Sequence, residues 1–254
     1  MLAYQTFGDT SAPPVLIAHG LYGSGRNWGV IAKRLSDTRH VVTVDMRNHG
    51  GSFHAATNGY DDLAGDLAEV IAAFGGQMDV VGHSMGGKAA MMLALSAPDT
   101  VRRMVVGDIA PVTYSHSQMQ MIEAMRAVDL SAVTRRSDVT AQLADLGVDP
   151  GVCAFLAQSL DVEGRAWRLN LQALAAEMPK IMSFPPVETQ YEGPARFLSG
   201  GTSDYVLPEH REVIRGLFPR ARFAKLPKAG HWLHADDPRG FEATLRAFLD
   251  ASRA

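Results

Sequence analysis

The segment Gly82-His83-Ser84-Met85-Gly86 lies between an apolar run, residues 78–81, and a stretch of helical period, residues 88–96. Strand, glycine-flanked turn and helix in that order leave few folds open. Such a turn holds its central residue strained and leaves no room for a side chain at Gly82 or Gly86. The rest of the chain repeats the alternation. Short apolar runs recur at residues 15–18, 41–44, 104–106, 195–198 and 222–226. Between them lie segments such as 60–74, where Leu63, Leu67, Val70, Ile71 and Phe74 follow one another at mostly three- and four-residue steps, as a helix with one buried face requires. Strands alternating with helices predict an α/β fold with a mostly parallel central sheet, flanked by helices and joined by right-handed crossovers.

One region breaks the rhythm. Residues 112–192 offer no convincing strand but several helix-like stretches, at 117–128, 137–146, 151–158 and 167–178. About 80 residues of helix inserted after the strand that follows the 88–96 helix predict a cap over a core made of residues 1–111 and 193–254, with Pro179, Pro185, Pro186 and Pro194 punctuating the return.

Composition removes other classes. With 24 Lys+Arg against 27 Asp+Glu the formal charge is −3, so there is no basic field to attract nucleic acid. A chain of 254 residues that is 46% hydrophobic and 20% charged can build a sizeable core and is neither disordered nor a coiled coil. The single cysteine, Cys153, excludes an internal disulfide framework and a Cys-based zinc cluster. The first residues, Met1 to Gln5, show no basic region leading into an apolar stretch, and the longest apolar run, residues 89–95, is far short of the ~20 that span a bilayer. The expectation is a soluble, cytoplasmic protein with no membrane insertion.

The glycine-flanked turn predicts an exposed serine nucleophile at Ser84. A serine hydroxyl is a poor nucleophile and needs a base within hydrogen-bond reach. In α/β-hydrolases that histidine comes last in chain order, and among nine histidines His231 follows the strand-like run 222–226 within Ala229-Gly230-His231-Trp232. His234 reads as a supporting or capping residue, His40, His116 and His210 as surface histidines, and His19 and His83 as half-buried, satisfied side chains. The pair His231 and His234 lacks a third ligand at a recognised spacing, so neither metal nor cofactor is expected.

Two acids compete to orient the imidazole. Asp204 stands just after the run 195–198 and 27 residues before His231, while Asp108 follows the run 104–106. Spacing does not separate them. The negative oxygen of a tetrahedral intermediate needs donors fixed in advance, and the backbone amides of Leu21, after the strand-like run 15–18, and of Met85, after the nucleophile, are placed to supply them.

A rival reading exists, because residues 82–88 also spell G-x-x-x-x-G-K, the phosphate-binding loop of an NTPase. It fails at Ala89, where a Ser or Thr hydroxyl should meet magnesium. A third class, a binding module on the same fold, requires neither a reactive Ser84 nor nucleotide.

Taken together, residues 19–27, Asp45-Met46-Arg47-Asn48-His49-Gly50, Gly82-His83-Ser84-Met85-Gly86-Gly87-Lys88-Ala89, Gly107-Asp108-Ile109-Ala110-Pro111-Val112 and Gly230-His231-Trp232-Leu233-His234-Ala235 resemble the YbfF-type bacterial esterases and their mitochondrial relatives in the α/β-hydrolase superfamily. The resemblance covers nearly the whole chain and is weakest in the cap. It implies an α/β-hydrolase fold and an esterase or thioesterase acting on small-molecule substrates with small to medium acyl chains, through an acyl-enzyme. Ser84 and His231 match the nucleophile and base. Asp108 falls on an acid implicated in catalysis, and Ser203 matches a serine that joins the network as a fourth member. Those relatives usually lack an acid at Asp204, so the resemblance leans toward Asp108 where generic spacing leans toward Asp204. Arg47, Asn48 and His49 are expected to brace the loop beside the site. Met119, Met121, Ile122, Met125, Met178, Met182 and Phe184 of the cap fit an adaptable apolar cavity and fit cap core equally well.

Overall fold

In the computed structural model, which describes residues 1–251, successive strand residues divide between two apolar layers. Leu16, Ala18, Val42, Val44, Val80, Met104 and Val106 join one buried cluster, and Val15, Ile17, Val41, Val81 and Val105 join the other. A sheet covered on both faces buries both sets, which is why its strands read as unbroken apolar runs.

Along the chain, β1 (Tyr4–Phe7) and β2 (Pro14–Ala18) precede α1 (Gly29–Leu35); β3 (His40–Val44), α2 (Tyr60–Ala73), β4 (Met78–His83), α3 (Met85–Ser96) and β5 (Val101–Gly107) then alternate. Next come α4 (Met119–Ala127), α5 (Arg136–Asp145), α6 (Pro150–Ala157), the two-residue strands β6 (Leu160–Asp161) and β7 (Ala166–Trp167), α7 (Leu171–Ala176) and α8 (Met178–Met182). After them follow β8 (Ala195–Gly200), α9 (His210–Leu217), β9 (Ala221–Leu226), α10 (Leu233–Asp236) and α11 (Pro238–Leu249). The seven-stranded sheet has the order β1-β3-β2-β4-β5-β8-β9 and is parallel except for β1, which pairs antiparallel with β3. The order turns back between β2 and β4, and the carboxyl ends of those two strands flank the crevice where α/β sheets bind ligands.

Some details depart from the sequence reading. Strand β1 leaves little apolar trace because most of it is exposed. The hairpin of β6 and β7 lies within the stretch where the sequence offers no convincing strand; two-residue strands are too short to show a period. Trp167 belongs to that hairpin, and α7 starts only after Asn170, whose side chain caps it by accepting from the amide of Ala173 at 3.2 Å. His40, read as a surface residue, is buried as the first residue of β3, against the ring of Phe74. Among the described residues no helix is long and apolar enough to cross a membrane.

Candidate active site

The turn between β4 and α3 is as tight as its glycines predict. A Cβ on Gly82 would stand 2.2 Å from the carbonyl oxygen of Gly86, and one on Gly86 would stand 2.5 Å from the carbonyl oxygens of both Ala18 and His19. All three obstacles are backbone and have nowhere to go. Ser84 adopts φ 53° and ψ −121° between strand and helix, a conformation that costs a non-glycine residue on the order of 1–3 kcal/mol and that the surrounding hydrogen bonds must hold. Its amide donates to the carbonyl of Gly107 at 3.0 Å and its carbonyl accepts from the amide of Lys88 at 3.0 Å.

From this turn a hydrogen-bonded line runs across the carboxyl edge of the sheet. The Ser84 hydroxyl faces Nε2 of His231 at 3.1 Å, and Nδ1 of His231 donates to Oδ2 of Asp108 at 2.8 Å. His231 lies in the loop between β9 and α10, while Asp108 follows β5 with φ 49°. The Asp108 carboxylate is fully buried, and a buried charge is tolerable only when donors surround it. Besides the imidazole it accepts from the Gly200 amide at 2.9 Å, through Oδ1, and from the Ser203 hydroxyl, through Oδ2. Asp204, the alternative acid, is exposed, and among the described residues Asp108 alone brings a carboxylate within hydrogen-bond distance of His231.

Above Ser84 runs the loop that follows β2. A Cβ on Gly20 would sit 3.1 Å from that of Ser84, which sets Leu21 beside the serine; Met85 begins α3, so its amide has no acceptor inside the helix. Two neutral histidines brace this loop. His19 donates from Nδ1 to the carbonyl of Gly20 at 2.7 Å and accepts the amide of Met46 on Nε2 at 2.9 Å. His49 donates from Nδ1 to the carbonyl of Arg47 at 2.8 Å and accepts the amide of Tyr22 on Nε2 at 3.1 Å. Burial lowers the pKa of His19 to about 4 and that of His49 to about 3. Arg47 grips Asp66 of α2 through Nε at 2.6 Å and a terminal nitrogen at 2.9 Å. His83 is likewise held well below the usual histidine range, chiefly by burial, and its Nε2 donates to the carbonyl of His231 at 2.7 Å. His234, lowered to about 4 by burial and by the neighbouring His231, stacks on Trp28 with ring centroids 4.0 Å apart.

A cavity of about 350 Å³ opens over Ser84 and His231. From the inserted helices Met121, Val152, Phe155, Ile181 and Met182 line it. Met121 and Met182 thus meet one expectation and Ile122, Met125 and Met178 the other, since those three are buried in the core. Lys88 also borders the cavity, yet its ammonium donates to three backbone carbonyls, of Val112 at 2.8 Å, Met182 at 3.1 Å and Ser183 at 2.7 Å. That use of every ammonium proton leaves nothing for a nucleotide phosphate. Among the described residues no group of three or more His, Cys, Asp or Glu side chains is arranged to hold a metal ion.

Residues 13–238 match the family model described as the alpha/beta hydrolase fold. The sn-1-specific diacylglycerol lipase ABHD11 of Mus musculus is 43% identical over 253 residues, covering 95% of this chain and 82% of that protein. Esterase YbfF of Escherichia coli is 36% identical over 241 residues, 93% of each chain. A solved marine microorganism esterase superposes with a TM-score of 0.92 at 35% identity, covering 97% of this chain and 98% of that one. The chain belongs to the α/β-hydrolase superfamily, among the carboxylic ester hydrolases of the YbfF type.

Proposed function

We propose that the protein is a serine esterase that cleaves small-molecule carboxylic esters through an acyl-enzyme on Ser84. The observation that carries this reading is the line from Ser84 Oγ through His231 to Asp108, with spacings of 3.1 and 2.8 Å. In the proposed reaction His231 Nε2 takes the hydroxyl proton as Ser84 Oγ attacks the ester carbonyl, and Asp108 stabilises the imidazolium that forms. The amides of Leu21 and Met85 receive the oxyanion. The intermediate collapses, His231 returns the proton to the departing alcohol, and water attacks the acyl-serine by the same route. The hydroxyl of Ser203, on the same carboxylate oxygen as the imidazole, acts as the fourth member of the network.

Residues 112–192 serve in this reading as the cap that shapes the acyl site. Lys88 ties Val112 at the start of the insert and Ser183 just after α8 to α3, the Tyr60 hydroxyl donates to the carbonyl of Ile181 at 2.6 Å, and the Tyr22 hydroxyl donates to that of Gln118 at 2.8 Å. The largely apolar lining fits a neutral acyl chain, and a thioester carbonyl presents the same electrophile as an ester. The names of the relatives, esterase and diacylglycerol lipase, support ester chemistry. A panel of p-nitrophenyl esters and acyl-CoA thioesters of graded chain length tests the proposal. Turnover that tracks acyl length supports it, and failure to cleave any member contradicts it.

A further inference from the structure

We propose that Tyr205 is a positioning residue for His231, its ring holding the imidazole in the plane that serves Ser84 and Asp108 at once. The inference rests on the roles of Ser84 and His231 proposed above.

Both nitrogens of His231 are engaged, so further support must come against the faces of the ring. Tyr205 lies on one such face, with ring centroids 3.9 Å apart and planes 20° from parallel. Rotation of the imidazole about its own side-chain bonds breaks both hydrogen bonds and runs into this neighbour. A stacked aromatic face also favours the imidazolium formed when the proton leaves Ser84, through the negative face of its π-system.

Such a brace must itself be held, and the Tyr205 backbone is anchored independently of the hydroxyl, whose contacts add a further tether. Its hydroxyl meets Nε2 of His116 at 3.0 Å and accepts from the side-chain amide of Gln118 at 3.2 Å. Its carbonyl accepts the Tyr114 hydroxyl at 2.7 Å, and its amide donates to Ser203 Oγ at 3.3 Å. Ser203 in turn donates to Asp108. Tyr205 therefore links the start of the helical insert, residues 114–118, to the serine and acid of the network as well as to the imidazole. No motif marks it; it is an aromatic residue in a loop after β8.

The test compares Tyr205→Phe, which keeps the ring, with Tyr205→Leu, which removes it. The Leu variant is expected to lose about tenfold in kcat with little change in KM, because the support acts mainly in the transition state, and the Phe variant to stay within about threefold of wild type. The low-field proton resonance of the His231 Nδ1–H group should persist in the Phe variant and broaden by exchange in the Leu variant. Thermal unfolding is followed in parallel, and Tyr205→Met replaces the Leu variant if the latter does not fold. Equal kcat losses in the Phe and Leu variants, a Leu variant with wild-type kcat, or a loss carried by KM each overturns the proposal. Labelling of the wild type by a fluorophosphonate probe separates the two levels. An unlabelled wild type sinks the serine-esterase reading itself, whereas a labelled wild type beside a fully active Leu variant sinks only the role of Tyr205.

Discussion

Nδ1 of His231 donates to Oδ2 of Asp108 at 2.8 Å across 123 residues of chain. The fold makes this contact by setting the carboxyl ends of β5, β8 and β9 side by side, so that the loop after β9 hangs over the residue that follows β5. Asp204 leaves the same edge one loop later and turns to solvent.

The two acids should therefore behave differently. Asp108→Asn keeps the shape but favours the wrong imidazole tautomer, and kcat is expected to fall by about 10⁴-fold with a melting temperature near that of the wild type. Asp204→Asn, at an exposed position, should leave kcat within about twofold. Steady-state kinetics of the two variants and the double mutant check this. A large loss in Asp204→Asn with an active Asp108→Asn reverses the assignment.

Acid should weaken the loop that carries the Leu21 amide. His19 and His49 accept backbone amides on Nε2 and are kept neutral, with pKa values lowered to about 4 and about 3 from an ordinary 6.5. The unfolded chain takes up those protons first, so stability is full above pH 6.5 and declines as the pH falls from 6.5 toward 4, by a few kcal/mol per histidine on the order-of-magnitude scale. Denaturant unfolding at a series of pH values reads this out. His19→Gln should flatten part of the slope, and a wild-type stability constant between pH 7 and 4 contradicts the account.

Gly86→Ala should be among the most damaging small substitutions in the chain. Its Cβ meets the carbonyl oxygens of Ala18 and His19 at 2.5 Å, so β2 and the turn have to separate. The expected cost is about 3 kcal/mol or more together with loss of activity, because the same movement displaces Ser84. Normal unfolding of this variant refutes the close approach of the two backbones.

Neutral acyl groups should outrun charged ones. Lys88 borders the cavity, but its three donors are all spent on carbonyls, so the carboxylate of a succinyl ester is desolvated there without a partner. A butyryl ester is expected to be hydrolysed faster than a succinyl ester of the same alcohol. The reverse order shows a cation the account has missed.

What could be read from the sequence divides along physical lines. Runs such as Val15 to Ala18 announce themselves because both faces of the sheet are covered, and α2 does so through its one buried stripe. The start of α3 is hidden, since Gly86 and Gly87 carry no helical preference and the helix nonetheless begins at Met85. Spacing could not choose between Asp108 and Asp204, because the choice turns on a left-handed backbone angle at Asp108 and on donors from Gly200 and Ser203. The methionines of the insert are alike in chemistry; whether each lines the cavity or fills the core depends on the helix face it occupies. Lys88, read first against a phosphate loop, holds the insert down by bonds to backbone carbonyls that no side-chain pattern records.

The central claim is that Ser84 becomes acylated, and mass spectrometry of the protein quenched during turnover of a slow ester tests it most directly. A mass increase equal to the acyl group, located on the peptide containing Ser84 and absent from Ser84→Ala, whose kcat falls by on the order of 10⁶-fold, is the predicted result. An adduct on another residue, or a Ser84→Ala variant that still turns over at the wild-type rate, contradicts it.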